Sequence, residues 1–189
     1  MLCRVYFFVW LSALAFQEWL LLTSGYSAVR YALPLHLCSY CACLGAACML
    51  IPRLRGKLWA RRFIAALGMP AALAAMLFPA LLPTDFPLAS AASFYAVHLL
   101  LFFCPLVLRR ERAAAFARAR LYSALYSLPL VIGAYAVNTI FSANYLFLSA
   151  LPEQLEFLSF IPQPARPIVL FAVFSALCFM PLPKRILSV

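Results

Sequence analysis

A thiol and an imidazole are the side chains of this sequence best suited to chemistry. Cys38 ends the string Leu-Pro-Leu-His-Leu-Cys, and His98 ends the string Phe-Tyr-Ala-Val-His. A thiolate is a strong nucleophile, and a helix N-terminus or a nearby imidazole lowers the pKa of a thiol. Cys38 is therefore a candidate nucleophile and His98 a candidate general base. The alternative for each is a structural role, since buried cysteines commonly pack as small apolar side chains.

Pro34 sets where Cys38 lies along its helix. Proline is favoured in the first turn of a helix and disfavours helical backbone in the residue before it. The sequence therefore predicts that a helix begins near Pro34, with Cys38 about one turn inside it. Cys41 follows on the same face, so a redox or metal-binding pair of thiols is an alternative.

Further polar side chains lie within or beside apolar runs, where polar groups are costly and commonly mark function. They are Gln17, Glu18, His36, Asn138 and Asn144. His36 is expected to orient an ester or hydrogen-bond Glu18, or to be satisfied by a neighbouring helix. The two asparagines are expected to cap a helix or to donate hydrogen bonds to an oxyanion.

The composition indicates a membrane protein. Of the 189 residues, 67% are hydrophobic and 11% are charged, and the mean hydropathy is +0.99. A soluble domain carries about 25% charged residues, and one small core cannot bury this excess of apolar side chains. The composition excludes a soluble enzyme, a disordered chain and a nucleic-acid-binding module. The 7 cysteines are spaced irregularly, which argues against a disulfide framework.

Six apolar segments are long enough to cross a bilayer, which takes about 20 residues each. The connecting segments are short, so the sequence predicts an all-α bundle of about six transmembrane helices that forms one transmembrane domain over residues 1–189. The predicted spans are Val5–Leu22, Leu33–Ile51, Phe63–Leu82, Leu88–Leu108, Leu121–Phe141 and Pro167–Pro183.

The basic residues predict the orientation of this bundle. Of the 15 lysines and arginines, only Arg30 and Arg166 fall on the less basic side, and of the acids only Glu111 falls on the basic side. The positive-inside rule makes the basic side cytoplasmic, with both termini inside. The polar residues then lie in the outer half, and we expect the inner membrane of a cell with an extracytoplasmic site. The predicted inner residues are Arg4, Arg53, Arg55, Lys57, Arg61, Arg62, Arg109, Arg110, Arg112, Arg118, Arg120, Lys184 and Arg185.

These basic residues have two interpretations. The simpler one is a topology signal that touches anionic lipid head groups. The alternative is a specific phosphate or nucleotide site.

The predicted depths of Cys38 and His98 differ. At the usual helical rise, Cys38 lies about 6 Å below the start of its helix and His98 about 15 Å below the start of its own. A shift of helix boundaries or a tilt must close this gap if the two side chains are to meet.

The same residues resemble a known family, the bacterial YwaF-like integral membrane proteins, over roughly residues 15–180. Two features depart from that family: its members carry one further helix before the first helix, and a glycine where this chain has Ser142 and Ala143. The matching features are the Leu-Pro-Leu-His-Leu-Cys string, a proline-rich turn from Pro79 to Pro87, Phe94 and Tyr95 with His98, Asn138, and Asn144-Tyr145-Leu146-Phe147-Leu148.

The YwaF-like family is similar to the eukaryotic transmembrane acyltransferase that builds polyunsaturated ether phospholipids with a cysteine and a histidine. It is more distantly similar to membrane hydrolases of fatty-acid esters that use threonine and histidine. The resemblance implies that Cys38 is the nucleophile and His98 the general base.

The resemblance therefore implies a lipid acyltransferase or lipid-ester hydrolase with an acyl-thioester intermediate. We expect membrane lipids as substrates, namely an acyl donor and a lysolipid or water as acceptor, with no metal and no other cofactor. A noncatalytic membrane scaffold and a small transporter are the alternatives, although a transporter needs polar residues along a complete path. The residues expected to bind substrate or support the oxyanion are Glu18, His36, Asn138, Asn144 and Tyr145.

Overall fold

The computed structural model describes residues 2–55, 57–108 and 116–181, and all regular structure in them is helical. Two π-helical segments, Ala28–Ala32 and Ile64–Gly68, and three short 3-10 turns, Tyr145–Phe147, Glu153–Leu158 and Gln163–Ala165, complete the elements. The α-helices are α1 (Leu2–Thr23), α2 (Leu37–Leu50), α3 (Pro52–Arg55), α4 (Leu58–Phe63), α5 (Met69–Leu77), α6 (Pro87–Val107), α7 (Phe116–Phe141) and α8 (Arg166–Phe179).

Four of the described helices are long and apolar enough to cross a membrane, and two more are apolar but shorter. With its 14 residues α2 extends about 21 Å, against about 30 Å for the hydrocarbon core. The predicted all-helical membrane protein is confirmed, while six crossings and the side of the termini stay predictions. The four long helices are Val5–Thr23, Leu58–Leu77, Pro87–Val107 and Arg118–Phe141, and the shorter ones are Leu37–Leu50 and Gln163–Phe179.

One end of the bundle is formed by the segments around the start of α2. The Tyr26 hydroxyl donates to the Pro83 carbonyl at 2.6 Å, which joins the end of α1 to the loop before α6. Arg30 Nε donates to the Phe141 carbonyl at 3.0 Å, which brings the end of α7 to the same place. We call this end, which holds Cys38, the thiol end.

The opposite end is joined through α4. Arg62 Nε donates to the Cys178 carbonyl at 2.9 Å, and its Nη2 donates to the Met180 carbonyl, both at the end of α8. The Ser123 hydroxyl donates to the Trp59 carbonyl at 2.8 Å and joins α7 to α4. We call this end, which holds Arg62, the arginine end.

The helix from Leu58 to Leu77 lies at the centre of the bundle, and every residue from Ala60 to Gly68 is buried. It differs from the predicted span Phe63–Leu82 at both ends. It begins earlier because Arg61 and Arg62, predicted to lie in a loop, are helical and buried, with Arg62 bonded to backbone carbonyls. It ends earlier because the proline-rich segment after Leu77 is not helical.

The structure describes only some of the charged residues on which the predicted orientation rests. Arg30 and Arg166, the two basic residues expected on the less basic side, both donate to loop or helix-end carbonyls, Arg166 to Leu148 and Ser149 at 3.3 and 3.2 Å. Arg109, Arg110, Glu111, Arg112, Lys184 and Arg185 lie outside the described residues.

Candidate functional site

Cys38 is the second residue of α2. His36 precedes the helix in extended backbone, with φ −82° and ψ 148°, and the Leu35 N–H donates to the Leu33 carbonyl at 2.7 Å. The helix therefore begins three residues after Pro34, because a tight turn holds the residues around the proline out of helical geometry. Cys38 lies in the first helical turn, where the helix dipole acts most strongly.

The first backbone N–H groups of α2 are available to a ligand. The Tyr40 N–H donates to the His36 carbonyl at 2.9 Å. Among the residues that the structure describes, no backbone carbonyl accepts from the N–H groups of Leu37, Cys38 or Ser39. Such groups stabilise negative charge that develops on an oxygen. The thiol and three candidate oxyanion donors thus share one helical turn.

Tyr145 fixes the segment that leads into α2. Its side chain is fully buried, its hydroxyl accepts from the Leu33 N–H at 3.0 Å, and it donates to the Val29 carbonyl at 3.0 Å. Burial raises the pKa of this phenol above its ordinary value, so the hydroxyl keeps its proton and continues to donate. Tyr145 therefore connects the loop after α7 to the chain just before Cys38.

Asn138 in turn holds Tyr145. Its Oδ1 accepts from the Tyr145 N–H at 2.7 Å, and its Nδ2 donates to the Tyr145 carbonyl at 2.9 Å. Asn138 is buried in the last turns of α7. These two bonds give Asn138 a structural role, and its predicted role at an oxyanion stays a prediction.

Asn144 closes the loop that carries Tyr145. Its Oδ1 accepts from the N–H groups of Ser149 and Ala150 at 3.1 and 2.9 Å, and its Nδ2 donates to the Ala150 carbonyl at 2.8 Å. Ser142, one of the two residues expected to stand in place of a glycine, has a φ of 51°. Glycine adopts this left-handed region without strain, so the loop keeps a glycine-like backbone around a serine.

His36 packs on this hydrogen-bonded loop. Its ring centroid lies 5.0 Å from that of Tyr145 and 5.7 Å from that of Phe147. The hydrogen bond considered between His36 and Glu18 is not present among the described residues, where Glu18 Oε2 is buried without a partner. The Glu18 charge is nevertheless close enough to act on Tyr145, so these three predicted residues share one neighbourhood.

His98 is buried in α6, with 6% of its surface exposed. Its Nδ1 lies 2.8 Å from the Phe94 carbonyl, and its ring centroid lies 4.1 Å from that of Phe94 with the ring planes tilted by 36°. Since a carbonyl only accepts, Nδ1 must carry the proton and Nε2 must carry the lone pair. His98 therefore has the tautomer that a general base acting through Nε2 requires.

Glycines fix the register between α2 and α6. A Cβ atom on Gly68 of the central helix would lie 3.3 Å from Cys41 Cβ in α2 and 3.3 Å from Leu101 Cδ1 in α6. Closer to the arginine end, a Cβ atom on Gly45 of α2 would lie 2.9 Å from Cys104 Sγ in α6. Cys41 and Leu101 therefore lie at one level, and Gly45 and Cys104 at the next.

This register extends to Cys38 and His98. Cys38 precedes Cys41 by three residues and His98 precedes Leu101 by three, which moves each position about 4.5 Å toward the thiol end on nearly the same helix face. We therefore expect Cys38 and His98 at similar depths, with the start of α6 farther out than the start of α2. Among the described residues no hydrogen bond joins the Cys38 thiol to His98, and their catalytic pairing stays a prediction.

The other thiols lie deeper in the bundle. Cys41 is fully buried and lies near Cys38, Cys104 and Cys178. The cysteines from Cys38 onward are free thiols. Within the described ranges, no three His, Cys, Asp or Glu side chains are arranged to hold a metal ion.

Two functional features escaped prediction from the sequence. Tyr145 was expected near the substrate, whereas its hydroxyl hydrogen-bonds to both Val29 and Leu33. Nothing in the sequence beyond the Asn-Tyr string indicates these two bonds. The burial of Arg62 is a second such feature, since a basic residue next to an apolar run is normally a loop residue.

A family model described as the TMEM164 family matches residues 1–182. No curated protein and no solved structure matches the chain. The matched range contains every predicted site residue. It supports the predicted relationship to a family of membrane proteins, and the narrower YwaF-like assignment stays a prediction.

Proposed function

We propose that this chain, which belongs to the TMEM164 family of membrane proteins, is a lipid acyltransferase or lipid-ester hydrolase that forms an acyl thioester on Cys38. The observation that supports the proposal is the close approach of Gly68 to both Cys41 of α2 and Leu101 of α6, from which we infer that Cys38 and His98 lie at similar depths. A thiol in a first helical turn and an imidazole whose Nε2 carries the lone pair are the two groups that thioester chemistry needs.

In the first half-reaction His98 Nε2 takes the thiol proton and Cys38 Sγ attacks the carbonyl carbon of a lipid ester. The negative charge on the carbonyl oxygen is stabilised by the free N–H groups at the start of α2. The carbon–oxygen bond of the ester then breaks, the leaving lipid alkoxide takes the proton from Nε2, and the acyl chain remains on sulfur.

In the second half-reaction the hydroxyl of a lysolipid, or a water molecule, gives its proton to His98 Nε2 and attacks the thioester carbonyl. The carbon–sulfur bond breaks, and the Cys38 thiolate recovers the proton. Transfer and hydrolysis differ only in this acceptor. The described residues supply all proton transfers, so the proposal needs no metal or other cofactor.

Asn138 and Tyr145 act in this proposal as positioning residues. They hold the loop after α7 against Val29 and Leu33, and so set where α2 begins. His36 adds packing to that loop. Lipid substrates reach the site laterally from the bilayer, in the outer half of the inner membrane of a cell as the basic residues predict.

The test is labelling of membranes with a lipid-like electrophile that carries a fatty acyl chain. We expect the protein to be labelled, labelling to vanish in Cys38→Ala, and its rate to fall about a hundredfold in His98→Ala, since general bases contribute about 10²- to 10⁴-fold. Cys43→Ala is the matched control, because Cys43 is an exposed thiol of the same helix.

Labelling that persists in Cys38→Ala, or that is unchanged in His98→Ala, would reject the proposal in favour of a scaffold or a transporter. A wild-type assay with a labelled phospholipid and an unlabelled lysolipid then separates the two reactions. Transfer yields a labelled diacyl product, and hydrolysis yields a free fatty acid.

A further inference from the structure

The arginine end holds a buried cluster of basic side chains. Arg61 and Arg62 are adjacent in α4, with 6% and 1% of their surfaces exposed. Arg120 lies in α7, one turn before Ser123, whose hydroxyl bonds to Trp59 in α4. This bond brings the two helices together, so that the charges of Arg62 and Arg120 act on each other.

Arg62 and Arg120 have no acidic counterpart in the described part of the chain. Of the 5 acidic residues, Glu18, Asp85, Glu153 and Glu156 belong to the helix end and loops of the thiol end, and Glu111 lies outside the described residues. Arg62 is satisfied in part by the Cys178 and Met180 carbonyls. Arg120 Nε is buried, and among the described residues it has no hydrogen-bond acceptor.

Like charges that are withdrawn from water are costly when, as among the described residues, no anion pairs with them, because each loses hydration and repels the other. The guanidinium group presents parallel N–H donors that match the oxygens of a phosphate group. We propose that Arg62 and Arg120 form a binding site for a phosphate group between the arginine-end parts of α4 and α7.

The ligand is a phosphate group of a lipid head group or of a soluble phosphate compound. Arg120 donates to it through the unpartnered Nε, while Arg62 holds the end of α8 and adds positive charge. The site lies at the opposite end of the bundle from Cys38. Phosphate binding there can therefore be tested independently of the acyl-transfer proposal.

The experiment measures the thermal unfolding midpoint of the full chain in a maltoside detergent that carries no phosphate. The probes are inorganic phosphate, and dioleoyl phosphatidic acid added to the micelles, each compared with chloride at equal ionic strength. We expect a saturable rise of the midpoint. Arg120→Gln should raise the apparent dissociation constant about tenfold or more, since a hydrogen bond to a charged group contributes about 1.5–3 kcal/mol.

The matched control is Arg118→Gln, which removes an exposed charge two residues away in α7. It should bind as wild type does. Without phosphate, Arg120→Gln should be at least as stable as wild type because the repulsion with Arg62 is gone, so a merely misfolded variant is recognised.

A rise with phosphatidic acid alone, lost in Arg120→Gln, identifies a lipid head group as the source. A rise with both probes identifies the phosphate group itself. The proposal is overturned if neither probe stabilises the protein beyond chloride, or if Arg118→Gln and Arg120→Gln weaken binding equally, as they would at a nonspecific basic surface.

Discussion

Asn138→Ala tests whether the loop after α7 determines the position of Cys38. The substitution leaves the Tyr145 N–H and carbonyl buried without their bonds of 2.7 and 2.9 Å. An unsatisfied buried polar group costs about 1–3 kcal/mol, so two cost about 2–6 kcal/mol. For a chain of this size about 1 kcal/mol shifts the unfolding midpoint by about 2–4 °C. We therefore expect a fall of about 10 °C.

The assay is thermal unfolding in detergent, combined with the labelling rate of Cys38 by the lipid-like electrophile. Thr139→Val is the matched control, since the Thr139 hydroxyl is exposed and bonds only to the Tyr135 carbonyl of its own helix. We expect the labelling rate to fall in Asn138→Ala and not in the control. Equal midpoints and equal labelling rates in the two variants would refute the reasoning.

Three further substitutions test local features. Ser142→Gly should raise stability by about 0.5–1 kcal/mol because it relieves a left-handed φ of 51°, and a lower unfolding midpoint would contradict this. Gly45→Ala should destabilise the protein by about 1–3 kcal/mol, because its Cβ would lie 2.8 Å from the Trp10 ring. Gly133→Ala, whose Cβ would meet its nearest neighbour at 3.4 Å, should not destabilise it. Equal effects of the two substitutions would contradict the close packing of Gly45. Burial raises the pKa of the Tyr145 phenol above its ordinary value of 10.0, so the stabilisation by its hydroxyl is full below pH 10.0 and is lost as the pH rises through the raised pKa. The difference in unfolding free energy between wild type and Tyr145→Phe should therefore shrink above pH 10.0 in denaturant titrations. A constant difference would contradict this.

The helices of this bundle follow from apolar run length, because a membrane forces backbone polar groups to bond within the segment. Their ends follow less well. α6 starts at Pro87, one residue before the predicted Leu88, but the turn at Pro34 moves the start of α2 to Leu37. The start of the central helix was misplaced because the sequence does not show that Arg62 finds carbonyl partners in α8, more than a hundred residues away.

The candidate site was predictable in its residue types and not in its register. Cys38 and His98 were recognisable from the chemistry of a thiol and an imidazole within apolar strings. The similar depth that we infer for them depends on Gly68, a small residue in a π-helical segment that lets α2 and α6 approach the central helix. Neither hydropathy nor spacing encodes which glycine does this, so the sequence alone leaves the two side chains at different depths.

The central claim is that Cys38 carries an acyl group during turnover and that His98 acts as the general base in forming it. The most direct test is mass spectrometry of the Cys38 peptide after incubation of the membrane-reconstituted protein with a phospholipid acyl donor. We predict an acyl mass on Cys38 that hydroxylamine removes, at least tenfold less in His98→Ala and unchanged in Cys43→Ala. Absence of the adduct from the wild-type protein, or equal acylation of Cys38 in His98→Ala, would contradict the account.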